Sequence, residues 1–179
     1  MNEAIERVLF TEEQIKARVK ELGEVITREY GGMPLTVLGV LRGGAIFCAD
    51  LIREIKLPLT LSFIEASSYK DSTTPQGEVK ISISRGFSAK GRHILIAEDI
   101  IDTGHTLKAV KERLLADGAL SVKTCCILNK PSRRQAEIDA DYVGFDIPDE
   151  FVVGYGLDYA NMYRNLPYIG MLSRSVYEK

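Results

Sequence analysis

His93-Ile94-Leu95-Ile96-Ala97-Glu98-Asp99-Ile100-Ile101-Asp102-Thr103-Gly104-His105-Thr106-Leu107 is the stretch on which the fold turns. The apolar run His93–Ala97 predicts a buried strand ending in two carboxylates, Glu98 and Asp99. A small, polar turn follows, Asp102-Thr103-Gly104-His105-Thr106, and opens a helix. A helix N-terminus exposes unpaired N–H groups and carries partial positive charge. Thr103 and Thr106 add hydroxyls, and Gly104 is expected to let the backbone approach a phosphate without a Cβ in the way. Glu98 and Asp99 would repel a bare phosphate. They suit sugar hydroxyls or a hydrated Mg²⁺ instead. The stretch therefore fits a ligand carrying both a polyol and a phosphate.

Working outward, strands alternate with helices, which implies right-handed βαβ units on a parallel sheet. Thr11 starts a helix with Gln14 as its capping-box partner, and Ile15, Val19, Leu22, Val25 and Ile26 share one face. Gly31-Gly32 ends it. Strands are expected at Leu35–Val40, Leu59–Ile64, Lys80–Ser84, Ser121–Leu128, Asp141–Phe145 and Phe151–Val153. Helices are expected at Ala45–Ile55 and about Thr106–Asp117. Leu41-Arg42-Gly43-Gly44 falls between a strand and a helix, at the same carboxyl edge of the sheet as the acidic segment. Arg42 brings charge and the glycines bring accessible N–H groups, a combination that suits an anion.

The chain has 179 residues, the length of one ordinary domain, with 45% hydrophobic and 27% charged residues. A packed core is within reach of that composition. A formal net charge of −2 argues against a general nucleic-acid or anionic-membrane binder. No apolar run approaches the roughly 20 residues of a membrane helix. The start, Met-Asn-Glu-Ala-Ile-Glu-Arg, is acidic and amphipathic, unlike a signal peptide. Cys48, Cys125 and Cys126 lack metal-ligand spacing and read as reduced core residues, which places the chain in the cytoplasm.

Three further pieces carry chemistry. Residues 67–79 form the most polar, turn-rich stretch and are longer than most loops, which invites a lid reading. Lys130 follows a strand and heads Lys-Pro-Ser-Arg-Arg, in which Arg133 and Arg134 read as surface charge. Asp149-Glu150-Phe151-Val152-Val153-Gly154-Tyr155-Gly156-Leu157-Asp158-Tyr159 offers an aromatic for stacking, backbone for edge recognition and an acid for a metal.

Taken together, Glu98–Thr106, Arg42-Gly43, Ser68-Tyr69, Lys130 and the Phe151–Asp158 string resemble the type I phosphoribosyltransferases. The Glu-Asp-Ile-Ile-Asp-Thr-Gly wording is closest to their hypoxanthine/guanine branch. The resemblance runs from about residue 8 to the end, with the motifs in the family's order. It implies an α/β fold with a central, mainly parallel sheet flanked by helices, a small hood formed by the terminal segments, and a flexible catalytic loop. One domain spans 1–179, with the loop at about 66–80 and a purine-binding hood at about 130–179 with an N-terminal contribution.

The implied reaction is Mg²⁺-dependent transfer from phosphoribosyl pyrophosphate (PRPP) to hypoxanthine or guanine, giving IMP or GMP and pyrophosphate. Asp102 would be the general acid/base. Glu98 and Asp99 would hold the ribose, and Asp102, Thr103, Gly104, His105 and Thr106 the 5′-phosphate. Arg42, Gly43 and Arg164 would bind pyrophosphate, with a cis peptide at Leu41–Arg42. Ser68 and Tyr69 would lie in the loop. Lys130, Phe151, Val152 and Asp158 would form the purine end, and Glu98, Asp99 and Asp158 the metal set. The family forms homodimers and homotetramers. A xanthine-accepting enzyme and a PRPP-sensing, nucleic-acid-binding regulator are the alternatives; the retained Asp102 and mild acidity count against the second.

Overall fold

The computed structural model describes residues 4–68 and 79–177. In chain order the elements are β1 (Ile5–Phe10), α1 (Glu12–Glu29), β2 (Leu35–Leu41), α2 (Gly44–Glu54), β3 (Leu59–Ser68), β4 (Val79–Ile83), β5 (His93–Ile101), α3 (His105–Ala116) and β6 (Ser121–Asn129). They continue with a 3₁₀ turn (Pro131–Arg133), β7 (Tyr142–Asp146), β8 (Val152–Val153), β9 (Ile169–Leu172) and α4 (Arg174–Tyr177). A six-stranded sheet runs in the order β4-β3-β2-β5-β6-β7, parallel except for edge strand β4. From β2 the chain winds one way, through α2 to β3. From β5 it winds the other, through α3 to β6. The switch point, where open α/β sheets hold their ligands, therefore falls between β2 and β5.

Period-2 alternation sends successive side chains to opposite faces of the sheet. Leu35, Val37, Leu95 and Ala97 pack with Ile15, Val19, Leu22, Phe47 and Leu51 under α1 and α2. Leu38, Val40, Ile94 and Ile96 face the other way, onto Leu107, Val110 and Leu114 of α3. Both faces are covered, so β2 and β5 read as almost unbroken apolar runs.

The acidic segment departs from its expected end. Glu98 and Asp99 do not close the strand; β5 continues to Ile101. Pairing with β2 stops at Gly39–Ala97, whereas pairing with β6 continues through Glu98–Cys126 to Ile101–Asn129. The strand is thus half released. It stays anchored on one side while its other side opens into the crevice.

A second, antiparallel sheet has the order β1-β9-β8 and joins the two ends of the chain. Ile5, Val153 and Leu172 form its small core. Phe10 stacks on Phe145 at 4.0 Å and ties it to the large sheet. Neither β1 nor β9 was expected from the sequence pattern. β3 also runs past its expected end at Ile64, because it pairs with β4 through Ser68–Val79. Tyr69 lies outside the described residues. No helix among them is long and apolar enough to cross a membrane.

α1 has the capping box read from the sequence: Thr11 Oγ1 accepts from the Gln14 N–H, and Gln14 Oε1 accepts from the Thr11 N–H. Removing the hydroxyl leaves one N-terminal donor without its partner. Thr11→Ala is expected to lower unfolding free energy by about 1 kcal/mol, seen as an earlier urea midpoint at unchanged slope. An unmoved midpoint contradicts the capping role.

Candidate active site

The carboxyl ends of β2 and β5 deliver two helix N-termini to one crevice. Neither α2, capped by Gly43, nor α3, capped by Gly104, has a side-chain hydrogen bond on its first turn. α1 contrasts with both, being fully capped. Apart from the Ala45 N–H, which bonds the Arg42 carbonyl at 3.3 Å, the first turns of α2 and α3 can offer N–H groups to an anion.

The loop after β2 fits against the acidic end of β5 with no room to spare. The Leu41–Arg42 peptide is cis, as the resemblance implied. A Cβ on Gly43 would lie 1.6 Å from Asp99 Oδ2. Gly43 is therefore glycine because a carboxylate fills the space beside it, a reason the sequence did not show. On its other side, a Cβ on Gly156 would lie 2.1 Å from the Gly43 carbonyl oxygen. The turn after β8 is thus pressed onto the same loop.

Burial pushes the Glu98 carboxyl well above the usual carboxylate range, and the adjacent Asp99 charge pushes the same way. Asp99 is also raised, chiefly by its burial. A hydrogen bond from Glu98, the Ile100 N–H at 2.7 Å and the Arg164 charge pull it back. The pair therefore favours one shared proton, with Glu98 as donor. Arg164 reaches in from the far side. It donates to the Gly156 carbonyl at 2.6 Å and pairs with Asp158 at 2.7 Å. Arg42 is exposed at the rim.

Two crowded carboxylates short of positive charge suit a hard, hydrated cation. The sequence reading grouped Glu98, Asp99 and Asp158 as one metal set. Among the described residues no three acidic, His or Cys side chains converge. Asp158 instead pairs with Arg164 and accepts from the Asn161 N–H at 2.8 Å. Glu98 and Asp99 remain the residues that fit such an ion. A Mg²⁺ held largely by water and substrate phosphates needs no closed protein cage.

In the turn before α3, Gly104 has φ +86°, the left-handed region that disfavours a side chain. The side of Gly104 where a Cβ would stand faces Ile138 and Arg134, within the protein. The expected reason for this glycine, close approach to phosphate, gives way to backbone conformation and packing. Thr103 and Thr106 are partly buried and His105 is exposed, with Nε2 3.2 Å from Gln135 Oε1.

Asp102 is not free. Arg133 Nε donates to its Oδ1 at 2.8 Å, and Arg133 also approaches Asp149 at 3.5 Å. Arg134 donates to the Asp102 carbonyl oxygen and to Asn129 Oδ1. Arg133 is exposed, as the surface-charge reading expected, whereas for Arg134, only 14% exposed, that reading is corrected. A solvated arginine is the commoner case for one residue alone, and only the folded turn after β6 reveals their partners.

Lys130, Phe151 and Val152, the residues expected at a purine end, follow β6 and lead into β8. Lys130 is 8% exposed; its backbone N–H bonds the Ile101 carbonyl, and its ammonium donates to the Glu150 carbonyl at 2.6 Å. Phe151 is partly exposed, with Tyr177 stacked on its ring at 5.1 Å and Tyr159 edge-on at 5.6 Å. Val152 is buried in β8. Tyr177 was missed by sequence reasoning. An aromatic near the chain end gives no signal until α4 brings it to Phe151. Ser68 ends β3, and Tyr69 stands outside the described residues.

A crevice with two uncapped helix ends, a half-buried acid pair and an aromatic, lysine-bearing wall fits a ribose-phosphate transfer site. Comparison agrees. Residues 9–160 match the phosphoribosyl transferase domain model, and the chain belongs to that family. Hypoxanthine-guanine phosphoribosyltransferases from Lactococcus lactis and Bacillus subtilis are each 52% identical, over 100% and 99% of this chain and 97% and 99% of theirs. A crystal structure of a hypoxanthine phosphoribosyltransferase from Staphylococcus aureus superposes with a TM-score of 0.94 at 47% identity, covering 100% of this chain and 97% of that one. A mutant hypoxanthine phosphoribosyltransferase from Trypanosoma cruzi, in a ternary substrates complex, gives 0.92 at 39% identity, covering 98% and 99%.

Two predictions follow from the acid pair. Gly43→Ala forces Asp99 or the α2 N-terminus to move, and a displacement near 1 Å lowers catalytic efficiency about 100-fold; wild-type efficiency would show that the contact is dispensable. Glu98→Gln removes a group that resists ionisation when folded. The raised folded pKa means its contribution is fully present below the unfolded value, about 4.3, and is lost as pH rises. The variant is expected to melt higher than the parent at neutral pH in metal-free buffer, with the gap closing near pH 4. A constant gap across that range refutes the assignment.

Proposed function

We propose that the chain catalyses purine salvage, joining a 6-oxopurine to PRPP and releasing pyrophosphate. The observation that carries this reading is the switch point itself. One crevice between β2 and β5 holds an acid pair flanked by two uncapped helix ends, and the Lys130 and Phe151 wall stands at the same edge. The close relatives support hypoxanthine and guanine as acceptors.

The bond from ribose C1′ to the pyrophosphate oxygen breaks, and a bond from C1′ to a purine ring nitrogen forms. The leaving group takes the electron pair, and the ring nitrogen loses a proton. Positive charge accumulates on the ribose as the leaving group departs, so fixed charges and positioning do most of the work. Asp99 and Glu98 orient the ribose hydroxyls. The N–H groups of 103–106 and the threonine hydroxyls hold the 5′-phosphate. Arg42, the Gly43 backbone and Arg164 hold pyrophosphate. Mg²⁺, when bound through Glu98 and Asp99, adds Lewis-acid stabilisation of the leaving phosphates. Asp158 keeps Arg164 aimed.

Asp102 accepts the proton from the five-membered ring of the purine. Lys130 donates to its exocyclic oxygen, which disfavours adenine, where an amine would face the ammonium. Phe151 stacks on the base, and the Val152 backbone reads its edge. The chain works in the cytoplasm as a homodimer or homotetramer.

The deciding measurement is a PRPP- and Mg²⁺-dependent assay on hypoxanthine, guanine, xanthine and adenine. Turnover of the first two with adenine excluded is expected; a preference for xanthine or adenine, or salt-dependent nucleic-acid binding without turnover, overturns the reading. Asp102→Asn is expected to cut turnover roughly 10²–10⁴-fold with nucleotide affinity retained. Wild-type turnover in that variant removes Asp102 from the role.

A further inference from the structure

The turn after β6 grips the segment that carries Asp102 at every residue. Arg133 holds the Asp102 carboxylate, and Arg134 holds its carbonyl. The N–H groups of Gln135 and Ala136 both donate to the Thr103 carbonyl at 3.0 Å. The Arg134 stem and Ile138 fill the space over Gly104, where a Cβ would lie 3.1 Å from Arg134 Cδ. The Gln135 side chain meets His105.

Arg134 stands apart within this grip. Its side chain is 14% exposed, yet no carboxylate lies within hydrogen-bond reach; the nearest, Asp139, is 4.0 Å from Nε, which is buried without a partner. Taking a guanidinium out of water with only a long pairing to the exposed Asp139 carboxylate is costly. Its two bonds go to neutral acceptors on two different segments, the Asp102 carbonyl before α3 and Asn129 Oδ1 at the end of β6. Asn129 is itself fixed, donating to Asp146 Oδ1 at 2.7 Å. The Asp102 carbonyl lies in a bend, beyond the ladders of β5 and before the helix, so it needs a donor from elsewhere. A neutral donor would satisfy it. A rigid planar fork that spans two segments does more, because it sets their distance and angle.

We propose that Arg134 is a positioning residue for the transfer reaction: by bridging Asn129 Oδ1 and the Asp102 carbonyl, it aims the Asp102 carboxylate at the purine ring. The proposal rests on Asp102 being the proton acceptor. Arg134 touches no substrate in this assignment and acts only through Asp102.

The test is a double-mutant cycle on the full-length enzyme with Arg134→Lys, Asp102→Asn and the pair, reading kcat and the KM for PRPP separately. Lysine keeps the charge but offers a single point where the fork had two. The expected result is a kcat about tenfold lower for Arg134→Lys, with the KM for PRPP nearly unchanged. In the Asp102→Asn background the same substitution has no further effect, because the group it aims is already gone. Multiplying losses in the double variant overturn the proposal, since they mark a general structural role. Wild-type turnover in Asp102→Asn alone overturns the base assignment, a different result from multiplying losses. Should Arg134→Lys lose its cooperative thermal melt, Asn129→Ala removes the other end of the bridge and enters the same cycle with the same two readings.

Discussion

The close fit of Gly43 against Asp99 is the constraint on which the site depends. It brings the N-terminus of α2 alongside the acidic end of β5, where backbone donors and carboxylates would otherwise stand apart. The half-released strand makes that fit possible. β5 leaves β2 at Ala97 but remains paired with β6 to Ile101, so Glu98 and Asp99 project into the crevice from a backbone that cannot drift. Desolvation raises the pKa of both carboxyls, and for Glu98 the neighbouring Asp99 charge adds to it. Two carboxyls held this close disfavour ionisation together, the kind of arrangement that a polyol or a cation would relieve.

The fold supplies the rest by dividing labour between two sheets. The large sheet holds the charge-handling groups on β2, β5 and the helices that follow them. The small sheet sets β8 against the loop after β2 and carries the aromatic wall. Phe10 on Phe145, and Gly156 on Gly43, lock one sheet to the other. Arginines bridge what the sheets leave separate: Arg164 joins Asp158 to the Gly156 carbonyl, and Arg134 joins the end of β6 to the turn before α3.

Local features were legible in the sequence where the physics is local. The Thr11–Gln14 box, the apolar runs of β2 and β5 and the glycine after β2 each need only near neighbours to be understood. The residues of the candidate site were legible for the same reason, because they sit at strand ends followed by polar turns. What escaped depends on distant partners. Ile5–Phe10 is a strand only because Ile169–Leu172 lies beside it, and nothing in its own pattern says so. Glu98–Ile101 pairs through backbone alone, so acidic side chains masked the strand. Arg134 looked like solvated charge until the turn after β6 folded under Gly104. The pairing of Asp158 with Arg164 is likewise a tertiary choice that the local sequence does not show.

The pairing of β1 with β9 has a consequence for the order in which the chain can become competent. The loop after β2 and the turn before α3 emerge early in synthesis and can settle on the large sheet as it grows. β1 emerges first of all, yet it stays unpartnered until β9, at the far end, is available. During translation its exposed edge must be kept from other strands, and the aromatic wall has no backing until the last turns of chain arrive. The stack of Tyr177 on Phe151 is therefore among the last contacts this fold can make, so a chain released early would hold the large sheet and its two open helix ends without the wall that faces them.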